Sequence, residues 1–372
     1  MKIVADEHIP FIHEFFAGAG ELHLKPGRLL TASDVKQADM LLVRSITPVN
    51  EALLAGSAVK FVGSVTAGAD HLDHEWLTQA GVTYRVAAGF NAPPVSDYVV
   101  SVVAALQQHQ LLKQARPKAV VIGVGKVGSL VAKRLALLNM EVMLCDPLRA
   151  QAEAAFQSVP LDEIDEVDFI SIHVPLTKAG EFATHHMIDA SFLKRQKPGC
   201  VLLNAGRGAV IDGEALLAVG KHLHWCLDVW EREPFICKKI LERAFIATPH
   251  MAGYSLQSKW RGTAMIHQLA CEAGMMTPQS ITSSLSVQRQ SFNFSGETNT
   301  WQAVVLSVFN PEVVTALMRA TLLSEAEYGP LFDEMRHQFN KRHEFSSTVV
   351  EGLTLSEYDT RILQGLNISD SR

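Results

Sequence analysis

The feature that most narrows what this chain can fold into is the run Gly123-Val124-Gly125-Lys126-Val127-Gly128, a G-x-G-x-x-G that leaves the apolar stretch Ala119 to Ile122 and enters a helical pattern. Glycines at this spacing occur by chance. Their context here is specific: strand, glycine turn and helix follow in order, and Asp146 closes the next apolar strand eighteen positions after Gly128. The glycines permit a tight turn and the close approach of a pyrophosphate to a helix N-terminus, whose free amides and dipole favour negative charge. A carboxylate at Asp146 can accept hydrogen bonds from ribose hydroxyls and repels the additional phosphate of NADP, so NAD is the expected cofactor.

The surrounding chain alternates short apolar runs with helical stretches, which is α/β patterning. Strands are expected at Ile3-Val4, Met40 to Val43, Lys60 to Val62, Ala119 to Ile122, Glu141 to Cys145, Asp168 to His173, Val201 to Asn204, Trp225 to Val229 and Ala244 to Ala247. Several are almost wholly apolar, as befits parallel strands covered on both faces. A long helix from Val95 to Gln114 is introduced by Pro93-Pro94. The Ser-, Thr-, Gln- and Asn-rich segment from 280 to 300 reads as a linker, followed by helical stretches at Glu312 to Leu322 and Leu331 to Arg342 and a strand-like Ser346 to Val350. The expected organisation is an α/β domain over 1–94, a Rossmann doubly wound domain over 95–256, a return helix and linker over 257–284, and a small α+β unit over 285–372. Hinge helices are expected near 95–115 and 255–275.

At 372 residues the chain exceeds one ordinary core, and 48% hydrophobic against 19% charged residues describes a globular protein. A net charge of -6 offers no diffuse positive field for a nucleic acid backbone or an anionic membrane, so a small-molecule substrate is expected. The N-terminus lacks the pattern of a secretory signal, and the expected location is cytoplasmic. Five cysteines (Cys145, Cys200, Cys226, Cys237 and Cys271) form no C-x-x-C pair or zinc-spaced set, which predicts reduced thiols, burial of the first three, and no metal.

Three further motifs each follow an expected strand: Asn204-Ala205-Gly206-Arg207-Gly208, Asp228-Val229-Trp230-Glu231-Arg232-Glu233-Pro234, and Thr248-Pro249-His250-Met251-Ala252-Gly253-Tyr254. Open α/β sheets place ligands beyond the carboxyl ends of their strands. Oxidising a 2-hydroxy acid needs a cation for the carboxylate, a base for the hydroxyl proton and a nicotinamide to take the hydride. Arg207 offers a planar fork for a carboxylate, with Gly206 and Gly208 expected to leave room for it. His250 is the expected general base, oriented by Glu233, which would also stabilise the imidazolium.

Arg, Glu and His in this chain order and in these local motifs resemble the D-isomer-specific 2-hydroxyacid dehydrogenase family. The resemblance implies a Rossmann NAD-binding domain beneath a flavodoxin-like substrate (lid) domain that closes on it. It implies catalytic Arg207, Glu233 and His250, the last acid before Pro234 being preferred to Glu231. Cofactor contacts would fall on Gly123, Gly125, Lys126, Val127, Gly128, Asp146, Val174 within His173-Val174-Pro175, Ala205, Asp228 and Gly253. The segments Arg44-Ser45-Ile46-Thr47, Ala67-Gly68-Ala69-Asp70-His71 and Phe332 to Ser347 are similar to one branch of the family, which has a C-terminal dimerisation domain and a phosphorylated 2-hydroxy acid as substrate. For that branch, Ser45, Thr66 and Tyr254 would contact substrate, and a homodimer is implied. Arg44 is the first candidate for the phosphate, with Arg336 and Arg342 weaker; a tail arginine could reach the partner's site. Rival readings are a 3-phosphoglycerate or unphosphorylated hydroxy-acid dehydrogenase, and an NAD-sensing corepressor.

Overall fold

Strand-forming runs without polar interruption become the centres of two all-parallel sheets in the computed structural model, which describes residues 1–278, 289–294, 299–324 and 329–370, without the side chain of residue 340. The chain divides into two compact units, Met1–Asn91 with Leu256–Gln288, and Ala92–Ser255 with Arg289–Arg372.

In the first unit β1 (Lys2–Asp6), β2 (Glu21–Lys25), β3 (Met40–Val43), β4 (Phe61–Ser64) and β5 (Thr83–Val86) lie in the order β2-β1-β3-β4-β5. The buried runs Met40–Val43 and Phe61–Ser64 occupy the middle. The edges β2 and β5 were not foreseen, because their half-exposed sequences ELHLK and TYRV carry no continuous apolar run. The helix Leu256–Glu272 belongs here: Ile266 and Ala270 join the cluster containing Ile3, Phe16, Met40 and Phe61.

The second unit is built on β6 (Lys118–Ile122), β7 (Glu141–Cys145), β8 (Phe169–Ile172), β9 (Val201–Asn204), β10 (His224–Leu227) and β11 (Ile246–Ala247). Their order is β11-β10-β9-β8-β6-β7, so the direction of strand addition reverses between β6 and β8. This is the doubly wound arrangement, and its ligand crevice opens at that reversal. The helix Ala92–Gln108 is buried along most of its length, with Pro93 and Pro94 in the first turn, where missing amides cost nothing. It ends six residues earlier than expected, and Gln110 takes a left-handed conformation (φ 55°).

Residues 289–370 pack into this same unit. β12 (Gln290–Asn293), β13 (Thr348–Glu351) and β14 (Ser369–Asp370) form a parallel ribbon, so the expected linker of 280–300 is in part a strand. Of that call, residues 280–288 and 295–298 lie outside the described residues. The helices Trp301–Val308, Pro311–Leu322, Gly329–Gln338 and Glu357–Gly365 complete the region. Trp301, Val304, Phe345 and Ile362 enter the core cluster of the Ala92–Gln108 helix.

Cys145, Cys200 and Cys226 are buried, and burial pushes their thiols up, to about 11 at Cys145 and about 12 at Cys200, which leaves them un-ionised. Among the described residues no single helix is long and apolar enough to cross a membrane.

One buried carboxylate, Asp97, links the two parts of this unit while paired with an arginine. Arg134 of the Lys126–Leu137 helix bonds Asp97 Oδ1, while Asp97 Oδ2 accepts the Phe345 amide at 2.9 Å. Because removing one partner strands the other charge, Arg134→Met is expected to cost about 3–5 kcal/mol. A urea midpoint equal to that of the parent protein would contradict this.

Candidate active site

The glycine turn after β6 shows why each glycine is needed. Gly123 is left-handed (φ 85°), and a Cβ there would stand 2.8 Å from the Val174 amide nitrogen, while one on Gly128 would meet the Gly123 carbonyl oxygen at 1.9 Å. Gly125 differs, because nothing lies within 4 Å of its Cβ position. That open space faces the N-terminus of the Lys126–Leu137 helix, which Gly125 begins with no side-chain cap. An uncapped helix end behind a bare glycine suits a pyrophosphate. Lys126 is exposed and Val127 half-buried in the first turn.

Asp146 follows β7, with Oδ2 accepting the Val124 amide at 2.8 Å and Oδ1 the Arg149 amide at 3.0 Å. A carboxylate has about four lone-pair sites, so acceptor capacity remains for ribose hydroxyls. Sequence reasoning missed Arg149, whose Nη1 donates to the Val124 carbonyl at 2.8 Å and whose Nε meets Glu153 Oε2 at 3.0 Å. Across the reversal point, His173 Nε2 pairs with Ser171 Oγ at 2.8 Å, burial pushes its imidazole down to about 3, and its buried Nδ1 has no partner among the described residues. The glycine cradle, the uncapped helix and this orphaned nitrogen together fit a dinucleotide.

After β9, Asn204 ties a turn by donating to the Arg207 carbonyl at 2.9 Å and accepting the Gly206 amide at 3.0 Å. Ala205 and Arg207 are half-buried within it. Gly206 and Gly208 do not serve to make room for a carboxylate. A Cβ on Gly206 would lie 2.9 Å from the Val174 carbonyl oxygen, and one on Gly208 would stand 1.9 Å from the Trp230 carbonyl carbon, so both are required by backbone crowding.

Asp228, 1% exposed, follows β10 and organises the next loop. Its carboxylate accepts Thr248 Oγ1 at 2.6 Å and the amides of Met251 and Ala252 at 2.9 and 3.0 Å, and its carbonyl accepts the His250 amide at 2.7 Å. Burial pushes this carboxyl up, with His250, Thr248 and the two amides opposing. His250, left-handed at φ 52°, places Nδ1 2.7 Å from Glu233 Oε2, and Glu233 Oε1 accepts the Trp230 amide at 2.8 Å. Burial raises the Glu233 carboxyl, but His250, the Trp230 amide and Arg336 outweigh it, and the net shift is downward. Glu231 is drawn elsewhere, its Oε1 3.0 Å from His186 Nε2. Gly253 and Tyr254 continue the loop, and Tyr254 Oη accepts Arg336 Nη2 at 2.9 Å.

Arg44, Ser45 and Thr66 belong to the first unit. Arg44 follows β3 and grips Asp6, at the end of β1, with Nε at 2.9 Å and Nη2 at 3.2 Å. Ser45 is exposed, and Thr66 Oγ1 bonds Ser64 Oγ and the Gly68 carbonyl, both at 2.7 Å. Lys259, not singled out in the sequence, is half-buried in the first turns of Leu256–Glu272; burial and Arg44 lower its ammonium to about 8. Arg342 makes its contacts within its own chain. Its Nη2 donates to the carbonyls of Pro94 and Ala252 at 2.6 and 2.8 Å, and its guanidinium lies 4.8 Å from the Phe309 ring centroid.

Comparison with known proteins agrees with this arrangement. The model for the D-isomer specific 2-hydroxyacid dehydrogenase NAD binding domain matches residues 98–252. The erythronate-4-phosphate dehydrogenase of Coxiella burnetii (strain RSA 331 / Henzerling II) is 44% identical over 93% of this chain and 94% of its own. The chain belongs to the D-isomer specific 2-hydroxyacid dehydrogenases. A second relative in this family, the erythronate-4-phosphate dehydrogenase of Cellvibrio japonicus (strain Ueda107), is 39% identical over 93% of both chains. In fold, this dehydrogenase is similar to the NAD+-bound 3-phosphoglycerate dehydrogenase of Entamoeba histolytica (TM-score 0.61, 23% identity, 75% of this chain and 99% of that one). It is similar also to the NAD-dependent formate dehydrogenase of Staphylococcus aureus in complex with NAD (TM-score 0.60, 21% identity, 75% and 97%). The cofactor of the family's binding domain is NAD.

With Arg149 already beside Asp146, the single change Asp146→Ser is expected to raise the ratio of kcat/KM for NADP over NAD at least about tenfold, equivalent to about 1.4 kcal/mol. Steady-state rates with the two cofactors measure it, and an unmoved ratio would remove Asp146 as the discriminator.

Proposed function

We propose that this dehydrogenase oxidises 4-phospho-D-erythronate at C2 to (R)-3-hydroxy-2-oxo-4-phosphooxybutanoate, a step of pyridoxal 5'-phosphate synthesis. The observation that carries the chemistry is the 2.7 Å bond between His250 Nδ1 and Glu233 Oε2. It leaves Nε2 as the imidazole atom able to take the hydroxyl proton, with Glu233 stabilising the imidazolium that results. Arg207 binds the carboxylate of the substrate through its planar fork. NAD, when bound, accepts the hydride from C2. Asp228 fixes the loop that carries His250, and Tyr254 contributes a hydroxyl to the substrate. The two curated relatives bearing the erythronate-4-phosphate dehydrogenase name supply the substrate in this reading.

Ser45 and Thr66 are assigned as further substrate contacts, and Arg44 with Lys259 as the cations for the 4-phosphate. Support for the cations comes from charge: Lys259 is half-buried next to another cation, an arrangement that an anion would relieve. We place the enzyme in the cytoplasm, where its five free cysteines stay reduced. We further assign a homodimer formed through the C-terminal region. The exposed side of the Pro311–Leu322 helix supports it, with Val313, Ala316, Leu317 and Ala320 forming an apolar stripe at helical spacing.

Purified protein given NAD and 4-phospho-D-erythronate is expected to form NADH, followed by absorbance, with 3-phosphoglycerate and D-lactate as comparison acids. Arg207→Ala and His250→Ala are each expected to lower kcat/KM by about 10²- to 10⁴-fold. Turnover of another acid in preference would move the substrate assignment, and full activity in either variant would remove that residue from the mechanism. Lys259 is charged below about pH 8 and neutral above it, so KM for the phosphorylated acid is expected to rise as pH passes about 8. Lys259→Met should show a raised KM at pH 7 that stays level through pH 8; a parallel rise in the variant would assign the effect to another group.

A further inference from the structure

The chemistry assigned so far comes from loops of the two parallel sheets, yet a charge from the C-terminal region acts on it. Arg336 lies on the helix Gly329–Gln338, more than eighty residues beyond the His250 loop. Its Nη2 donates to Tyr254 Oη at 2.9 Å, and its guanidinium carbon stands 5.6 Å from the centre of the same ring. One side chain therefore holds Tyr254 by a hydrogen bond and through the π face. Among the described residues the remaining arginine contacts are weak: Nη1 is 3.5 Å from Asp333 Oδ1, and Nε is buried with no partner. A guanidinium this poorly neutralised by its own helix exerts its charge on the acids around it. Those acids are Glu233, Asp333 and Asp228, with Tyr254 as the other titratable neighbour.

We propose that Arg336 is a positioning residue for the reaction: it fixes the Tyr254 hydroxyl as a donor to the substrate and holds Glu233 ionised against His250. The inference rests on the roles given above to Glu233, His250 and Tyr254. The hydroxyl argument is geometric. With its oxygen accepting from Arg336, the Tyr254 proton is directed away from the guanidinium and is available to an oxygen of the substrate. The charge argument adds to that geometry, since the guanidinium held at Tyr254 also lowers the Glu233 carboxyl. Facing Glu233 are His250, the Trp230 amide and Arg336. Taking away the arginine removes one of two neighbouring cationic groups, so protonation of the coupled Glu233–His250 pair becomes easier.

The test uses the full chain with Arg336→Met and Arg336→Lys. The pair is read directly by NMR titration of the His250 imidazole in the NADH complex, which requires no substrate. The midpoint of the pair is expected to move up by about half a pH unit or more in Arg336→Met, a roughly threefold change in proton affinity, and to return toward the parent value in Arg336→Lys. The acid limb of kcat/KM should follow in the same direction. KM for the hydroxy acid should rise in both variants, because lysine restores the charge but not the planar contact with Tyr254. In combination with Tyr254→Phe, Arg336→Lys should add little to KM. A midpoint in Arg336→Met equal to that of the parent overturns the charge role. Should that variant not fold, an unchanged KM in Arg336→Lys, or full additivity with Tyr254→Phe, overturns the positioning role. Absence of phosphoerythronate turnover would instead count against the substrate assignment, leaving the NMR midpoint as the measure of this inference.

Discussion

The loop that carries His250 depends on Asp228. Its carboxylate takes the Thr248 hydroxyl and the amides of Met251 and Ala252, and its carbonyl takes the His250 amide. His250 sits in a left-handed backbone conformation that a β-carbon disfavours, and these bonds on either side of it hold the residue there. A buried carboxylate is costly, which is why its own proton affinity is raised. The three hydrogen bonds to the carboxylate offset that cost, and with the fourth, from the His250 amide to the carbonyl, they fix the direction of one imidazole. Trp230 extends the same scaffold, its indole donating to the Thr248 carbonyl at 2.9 Å while its amide orients Glu233. His250 and Glu233 are thus positioned by one network that begins at the end of a single strand.

How much of this was legible in the sequence depended on whether a residue's role was local. Gly123, Gly128 and Asp146 could be read because a dinucleotide turn imposes its demands over a short stretch of chain. The central strands could be read because burial on both faces leaves an uninterrupted apolar run, as in VLLN at Val201–Asn204. The edge strands β2 and β5 could not, since partial exposure removes that signal. Gly206 and Gly208 were given the wrong physical reason: their neighbours, Val174 and Trp230, are distant in the chain and invisible from the motif itself. Glu231 and Glu233 are chemically alike, and in sequence only the family pattern prefers the second; in the fold Glu233 meets His250 while Glu231 is held by His186, forty-five positions away.

The C-terminal region was the hardest to read for the same reason. Arg342 has the sequence setting of a surface cation, yet it is half-buried against two carbonyls and an aromatic ring. Arg336 lies on a helix with ordinary amphipathic spacing, and only folding brings it to Tyr254. The buried bonds of Glu344 to Ser255 and of the Phe345 amide to Asp97 tie this region to the framework around the loop. What the sequence presents as an appended segment is, in the folded chain, part of the support for the chemistry.

The division of the first unit between Met1–Asn91 and Leu256–Gln288 carries a consequence for synthesis. On the ribosome the five strands of that unit emerge well before the helix whose Ile266 and Ala270 cover one of their faces. At ordinary elongation rates that delay is on the order of ten seconds. During it, apolar side chains such as Phe16, Met40 and Phe61 lack their final neighbour. The nascent chain therefore carries an unfinished sheet while the inserted cofactor unit is being made, and this interval is where a chaperone would find the protein.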